Sequence, residues 1–167
     1  MTGAHYRYLL LEQGAGGFLV NVGINLAIAW ALFRSLASVP LWGATSIAGD
    51  TVATCFLLPF MTCVIVTRMA VREIRRGRFA APSWRRTSSP TLARLPANTE
   101  RRALLLGGIT VATLAPLTIC LLVVIGIDQL SFQNFLVFKS LFAGILGGAL
   151  TPVIALAALG DVSSETR

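Results

Sequence analysis

The sequence predicts an all-α membrane protein, four transmembrane helices forming two hairpins in one bundle. Three observations carry that expectation. Only 13% of the 167 residues are charged, against about 25% in an ordinary soluble domain. The mean hydropathy is +0.75, and it comes from four long runs nearly free of charge. Each run reaches the roughly 20 apolar residues that a helix needs to cross a hydrocarbon core of about 30 Å. The basic residues, finally, gather between the second and third runs. Ten of the fourteen Lys and Arg lie in residues 68–102, against two acids there, Glu73 and Glu100.

The first span covers about residues 14–33, GAGGFLVNVGINLAIAWALF, with no charge. Its apolar run is longer than the hydrophobic region of a signal peptide, about 7–15 residues, so it reads as a retained helix despite the SLA at Ser35–Ala37. The second covers about 41–67 and contains Asp50. The third, about 103–127, is uncharged, and the fourth, about 132–159, contains Lys139. Residues 1–167 read as a single domain with a basic linker at 68–102, broken by Pro82, Pro90 and Pro96.

Orientation follows from the same charges. Basic loops stay on the cytoplasmic side, which places the linker and both termini there and the two short turns outside. A multi-pass protein of the inner (cytoplasmic) cell membrane is the expected setting. Arg72, Arg75, Arg76, Arg78, Arg85 and Arg86 form a basic surface for anionic headgroups, with Phe79 and Trp84 at the interface. Topology accounts for the net charge of +7, and no nucleic-acid partner is expected.

The two halves share a faint internal repeat. Gly16-Gly17 and Gly107-Gly108 lie near the start of the first helix of each hairpin. Pro59 and Pro152 kink the second. Two successive two-span units would be related by an axis along the membrane normal. Thr54, Thr62 and Thr151 are the expected partners for carbonyls that the prolines free.

Polar residues recur at four-residue steps, which puts each set on one slowly turning helix face. These sets are Gly17, Asn21, Asn25 and Ala29 in the first span, and Ser46, Asp50 and Thr54 in the second. The fourth span has Lys139, Ala143, Gly147, Thr151 and Ala155, with Gly144 and Gly148 on a neighbouring face. Small residues of this kind ordinarily let helices approach closely. Asp50 and Lys139 demand more. An ionisable group deep in the bilayer costs about 2.5–3.5 kcal/mol on the insertion scale, and such groups turn inward, pair or line a water path. Aligning the two prolines puts Asp50 and Lys139 about one turn apart in depth. They are read as the only acid and base well inside the spans, facing each other with Asn21, Asn25 and Ser46 nearby. Arg34 is the competing partner for Asp50. A paired carboxylate and ammonium can serve as a register-fixing pair or as a coupled site.

Several chemistries find no support. His5 has no companions at ligand spacing, and no metal site, haem or other cofactor is expected. Cys55, Cys63 and Cys120 read as small buried hydrophobes. No phosphate-binding loop or nucleophile motif is present, so the chain reads as a non-enzyme. The best-supported expectation is a small permease or channel-like protein built on the intramembrane polar cluster, working as a homo-oligomer. The alternative is a non-catalytic accessory subunit of a larger membrane complex, or a lipid-binding membrane protein.

Overall fold

The structure, a computed structural model, describes residues 13–76 and 95–165. The linker positions Arg78, Arg85 and Arg86, with Phe79 and Trp84, lie outside the described residues, as does His5. Four long helices carry the fold: α1 (Gly16–Phe33), α2 (Ile47–Arg75), α3 (Thr99–Val124) and α4 (Phe132–Glu165). All four are long and apolar enough to cross a membrane.

The helix limits are set by local chemistry that hydropathy does not register. Residues 41–46 belong to the turn and not to the second span, because Ser46 caps α2. Its backbone is extended and its hydroxyl accepts from the Gly49 N–H at 3.1 Å. At its other end α2 runs on to Arg75. The third helix starts earlier than the apolar run, because the Asn98 side chain accepts from the N–H groups of Glu100 and Arg101. Glu100 then sits in the first turn, where the helix dipole favours an acid. The fourth helix continues past the apolar run to Glu165.

Two short strands tie the turns together. β1 (Ser38–Pro40) pairs antiparallel with β2 (Gln129–Ser131), with Val39 opposite Leu130. Both turns therefore lie at one end of the bundle, the turn end. Val39 and Leu41 are buried there with Ala29, Phe33, Ile47, Leu122 and Phe135, so residues from all four helices close that end.

The main helix contacts are α2 on α3, α1 on α4, and α2 on α4, whereas α1 and α2 scarcely touch. Glycine makes the α1–α4 seam close. A Cβ on Gly147 would lie 2.2 Å from Asn21 Nδ2, and one on Gly144 would lie 2.5 Å from Val22 Cγ2. The seam α2–α3 is bonded at a proline. Pro59 has no N–H to offer the carbonyl of Cys55, four residues back. The Thr110 hydroxyl of α3 reaches that carbonyl. The expected donors, Thr54 and Thr62, bond no freed carbonyl among the described residues, and Thr151 bonds Gly147 instead. The donor comes from the neighbouring helix because Thr54 and Thr62 sit on another face, described next.

Candidate functional site

Because α1 leans on α4 and stands away from α2, a groove of about 710 Å³ opens between α1 and α2, floored by α4. On α2 it is lined from Asp50 to Met69, nineteen residue steps, which at 1.5 Å each is about 28 Å. That is close to the whole thickness of a hydrocarbon core, about 30 Å.

The walls alternate in character for a periodic reason. Asp50, Thr54, Leu58, Thr62 and Val66 follow at four-residue steps on α2 and form its inner face. Gly17, Asn21 and Asn25 do the same on α1, continued by Gln13 just before it. The residues flanking each row are large and apolar: Ile24, Ile28, Leu57, Met61 and Ile65 are all exposed. The groove wall is therefore mostly apolar, with a thin line of polar groups along its floor.

Near the turn end the structure brings Lys139 and Asp50 together as an ion pair. The lysine side chain is 4% exposed and the aspartate 10%. The Lys139 ammonium also stands 6.0 Å from the Phe33 ring centroid, which shields it on the α1 side. Asp50 Oδ1 receives the lysine, while Oδ2 takes no hydrogen bond from any described residue. The sealed, unpartnered side-chain polar atoms among the described residues are Arg102 Nε and Ser140 Oγ. Asp50 Oδ2 is not among these sealed atoms, and Asp50 and Lys139 both line the groove. Arg34 takes no part, since its guanidinium lies over the Trp30 ring at 4.9 Å.

Of the other predicted cluster residues, Asn21, Asn25 and Thr54 line the groove, whereas Ser46 does not and serves as the cap of α2. Asn21 Nδ2 donates to the Gly17 carbonyl at 2.7 Å, and Asn25 Nδ2 to the Asn21 carbonyl at 3.0 Å. Each amide spends one N–H on its own helix and keeps its Oδ1 without a partner among the described residues. The Thr54 and Thr62 hydroxyls are likewise unengaged. Along its length the groove thus presents open acceptors at Asp50, Asn25 and Asn21, and hydroxyls at Thr54 and Thr62.

A second ion pair was missed by the sequence reading, which counted Asp50 and Lys139 as the only acid and base well inside the spans. Arg102 Nη1 lies 2.7 Å from Asp161 Oδ2, and Nη2 donates to Thr67 Oγ1 at 2.9 Å. Arg102 is wholly buried. The apolar runs stop at about 103 and 159, which leaves both residues just outside. The Asn98 cap and the continuation of α4 put them inside helices. The available signal was the asparagine four residues before the arginine, a helix start.

The remaining predicted residues fall elsewhere. Pro59 is buried and Pro152 half-buried, both within helices. Arg72 is exposed, Arg75 ends α2, and Arg76 meets Glu73 at 3.7 Å. Cys55 and Cys63 are buried, but Cys120 is exposed, because it lies on the outer face of α3. No group of three or more His, Cys, Asp or Glu among the described residues could hold a metal.

Fold and site together define a class: a four-helix chain able to cross a membrane, with a lateral groove between two of its helices. Comparison with known proteins adds no narrower class, since no family model, curated protein or solved structure matches the chain.

Proposed function

We propose that the chain is a small permease for amphiphiles, passing a polar headgroup across the membrane along the groove between α1 and α2. The observation that carries this is a continuous groove of nearly full membrane depth, mostly apolar, with a thin line of polar groups along its floor. A headgroup moving there exchanges hydrogen bonds with the wall while its chain stays in lipid. The groove lowers the cost of carrying polar atoms through hydrocarbon, several kcal/mol for each unsatisfied group. Lipid supplies the missing wall, so one chain suffices for an amphiphile. A water-soluble cargo would need a second copy to close the path.

Orientation belongs to the same reading: two hairpins, both termini and the basic linker cytoplasmic, in the inner cell membrane. The packing supports a parallel two-fold repeat. α1 lies on the second helix of the other half, and α3 does the same. Val39 and Leu130 face each other at the centre of the strand pair, where such an axis would pass. The accessory-subunit alternative drew on glycine faces left for a partner. Gly17, Gly144, Gly147 and Gly148 are instead spent on contacts between α1 and α4.

Purified protein in liposomes should speed the transbilayer movement of fluorescent single-chain amphiphiles. Ala53→Trp, which fills the groove from α2 without touching the ion pair, should abolish the effect while helix content and thermal midpoint stay unchanged. Equal movement with and without protein, across headgroups of every charge, would remove this reading.

A further inference from the structure

Resting on the permease reading, the geometry points to the class of cargo: we propose that the groove selects an amphiphile whose headgroup is uncharged, hydroxyl-bearing and no bulkier than one monosaccharide ring. Three observations converge on it.

The first is size. Spread over about 28 Å, the groove volume gives a mean cross-section of about 25 Å². A single ring or a hydroxylated stem fits it.

The second is charge. Lys139 and Asp50 already neutralise each other, and the lysine is the better hidden of the two. Both members line the groove, and the carboxylate is the less hidden of the two. An anionic headgroup would compete with Asp50 for one ammonium and leave a surplus negative charge there. A cationic headgroup would compete with Lys139 for one carboxylate and leave a surplus positive charge in a low-dielectric site. An uncharged headgroup disturbs neither member.

The third is hydrogen-bond polarity. The open atoms along the path are acceptors at Asp50 Oδ2, Asn25 Oδ1 and Asn21 Oδ1, joined by the Thr54 and Thr62 hydroxyls. Acceptors ask for donors. Hydroxyls supply them without charge, and they also accept from the second N–H of each asparagine.

The test uses one fluorescent alkyl chain carrying a glucoside, a phosphate or an ammonium head, added to proteoliposomes of the full chain. The glucoside should cross at least about tenfold faster than either ion, a difference of about 1.4 kcal/mol in barrier. Asp50→Asn bares Lys139, so the preference should swing toward the alkyl phosphate. Asn25→Leu leaves the ion pair intact and should slow the glucoside alone; it stands in if Asp50→Asn does not fold. Wild-type protein that moves the phosphate or the ammonium as fast as the glucoside would overturn the selectivity and leave the permease reading standing. Movement of none of the three would remove both.

Discussion

Among the described residues the bundle holds two ion pairs with a buried cation, and they are built on different plans. Asp50–Lys139, near the turn end, joins α2 to α4 and forms part of a groove wall. Arg102–Asp161, near the linker end, joins α3 to α4 and enlists Thr67 of α2, and none of the three lines the groove. In the first pair the hidden member is a lysine, a point charge on a flexible stem beside open space. In the second it is an arginine, a rigid fork with a bond on each of two nitrogens and no exposure. The lesson is that burial alone does not separate a site from a clamp. What separates them is whether the pair has an unused polar atom facing a space that something can enter.

That contrast leads to the largest expected effect. Asp161→Asn leaves the Arg102 charge sealed with neutral partners only, Thr67 and the remaining amide oxygen, and should cost about 3–5 kcal/mol. Asp50→Asn should cost clearly less, because the Lys139 ammonium can swing into the groove and towards the turn end. Thermal unfolding of the two variants in detergent checks the order. An equal loss in both would make Asp50–Lys139 a second clamp and erase the distinction.

A smaller effect is expected between the two pairs, at the seam that sets the groove's width. Gly147→Ala puts a methyl group where Asn21 stands, 2.2 Å from Nδ2, and α1 must shift to admit it. Overpacking of this sort costs about 1–3 kcal/mol. Since Asn21 lines the groove, amphiphile movement should change with it, while the bond from Arg102 to Asp161 stays intact. A crosslink between cysteines placed on α1 and α2 reports the shift. An unchanged crosslinking yield would mean the seam absorbs the methyl group without moving α1.

The same contrast explains what was legible in the sequence. The four spans were, because hydropathy is a local property of the chain. So was the meeting of Asp50 with Lys139, since each is isolated in an apolar run and matching their depths needs only helix rise. The groove was not. It exists because α1 packs on α4 and not on its chain neighbour α2, and that choice is made by glycines meeting Phe18, Asn21 and Val22 across 120 or more residues of sequence. The Arg102–Asp161 pair escaped for a different reason. Arg102 lies in the basic segment that already explains topology, so its charge carried no local surprise.

The finest break in the comparison comes at Thr54. It lies one turn below Asp50 on the groove face of α2, buried, with no hydrogen bond to any described residue. Thr54→Val keeps the shape and removes only the hydroxyl. Nothing in the fold loses a partner, so stability should stay within about 0.5 kcal/mol. The path loses one polar step between Asp50 and Thr62, and amphiphile movement should fall about two- to fivefold, the equivalent of roughly 0.4–1 kcal/mol of barrier. Thr110→Val, by contrast, takes away the hydroxyl at the Cys55 carbonyl freed by Pro59, and should lower stability by about 1–3 kcal/mol with little effect on headgroup selectivity. Measured side by side, the two threonines separate a hydroxyl that serves the groove from one that serves the fold. If Thr54→Val unfolded the protein as readily as Thr110→Val while leaving movement intact, α2's polar face would be packing glue, and the groove would lose its claim to be a path.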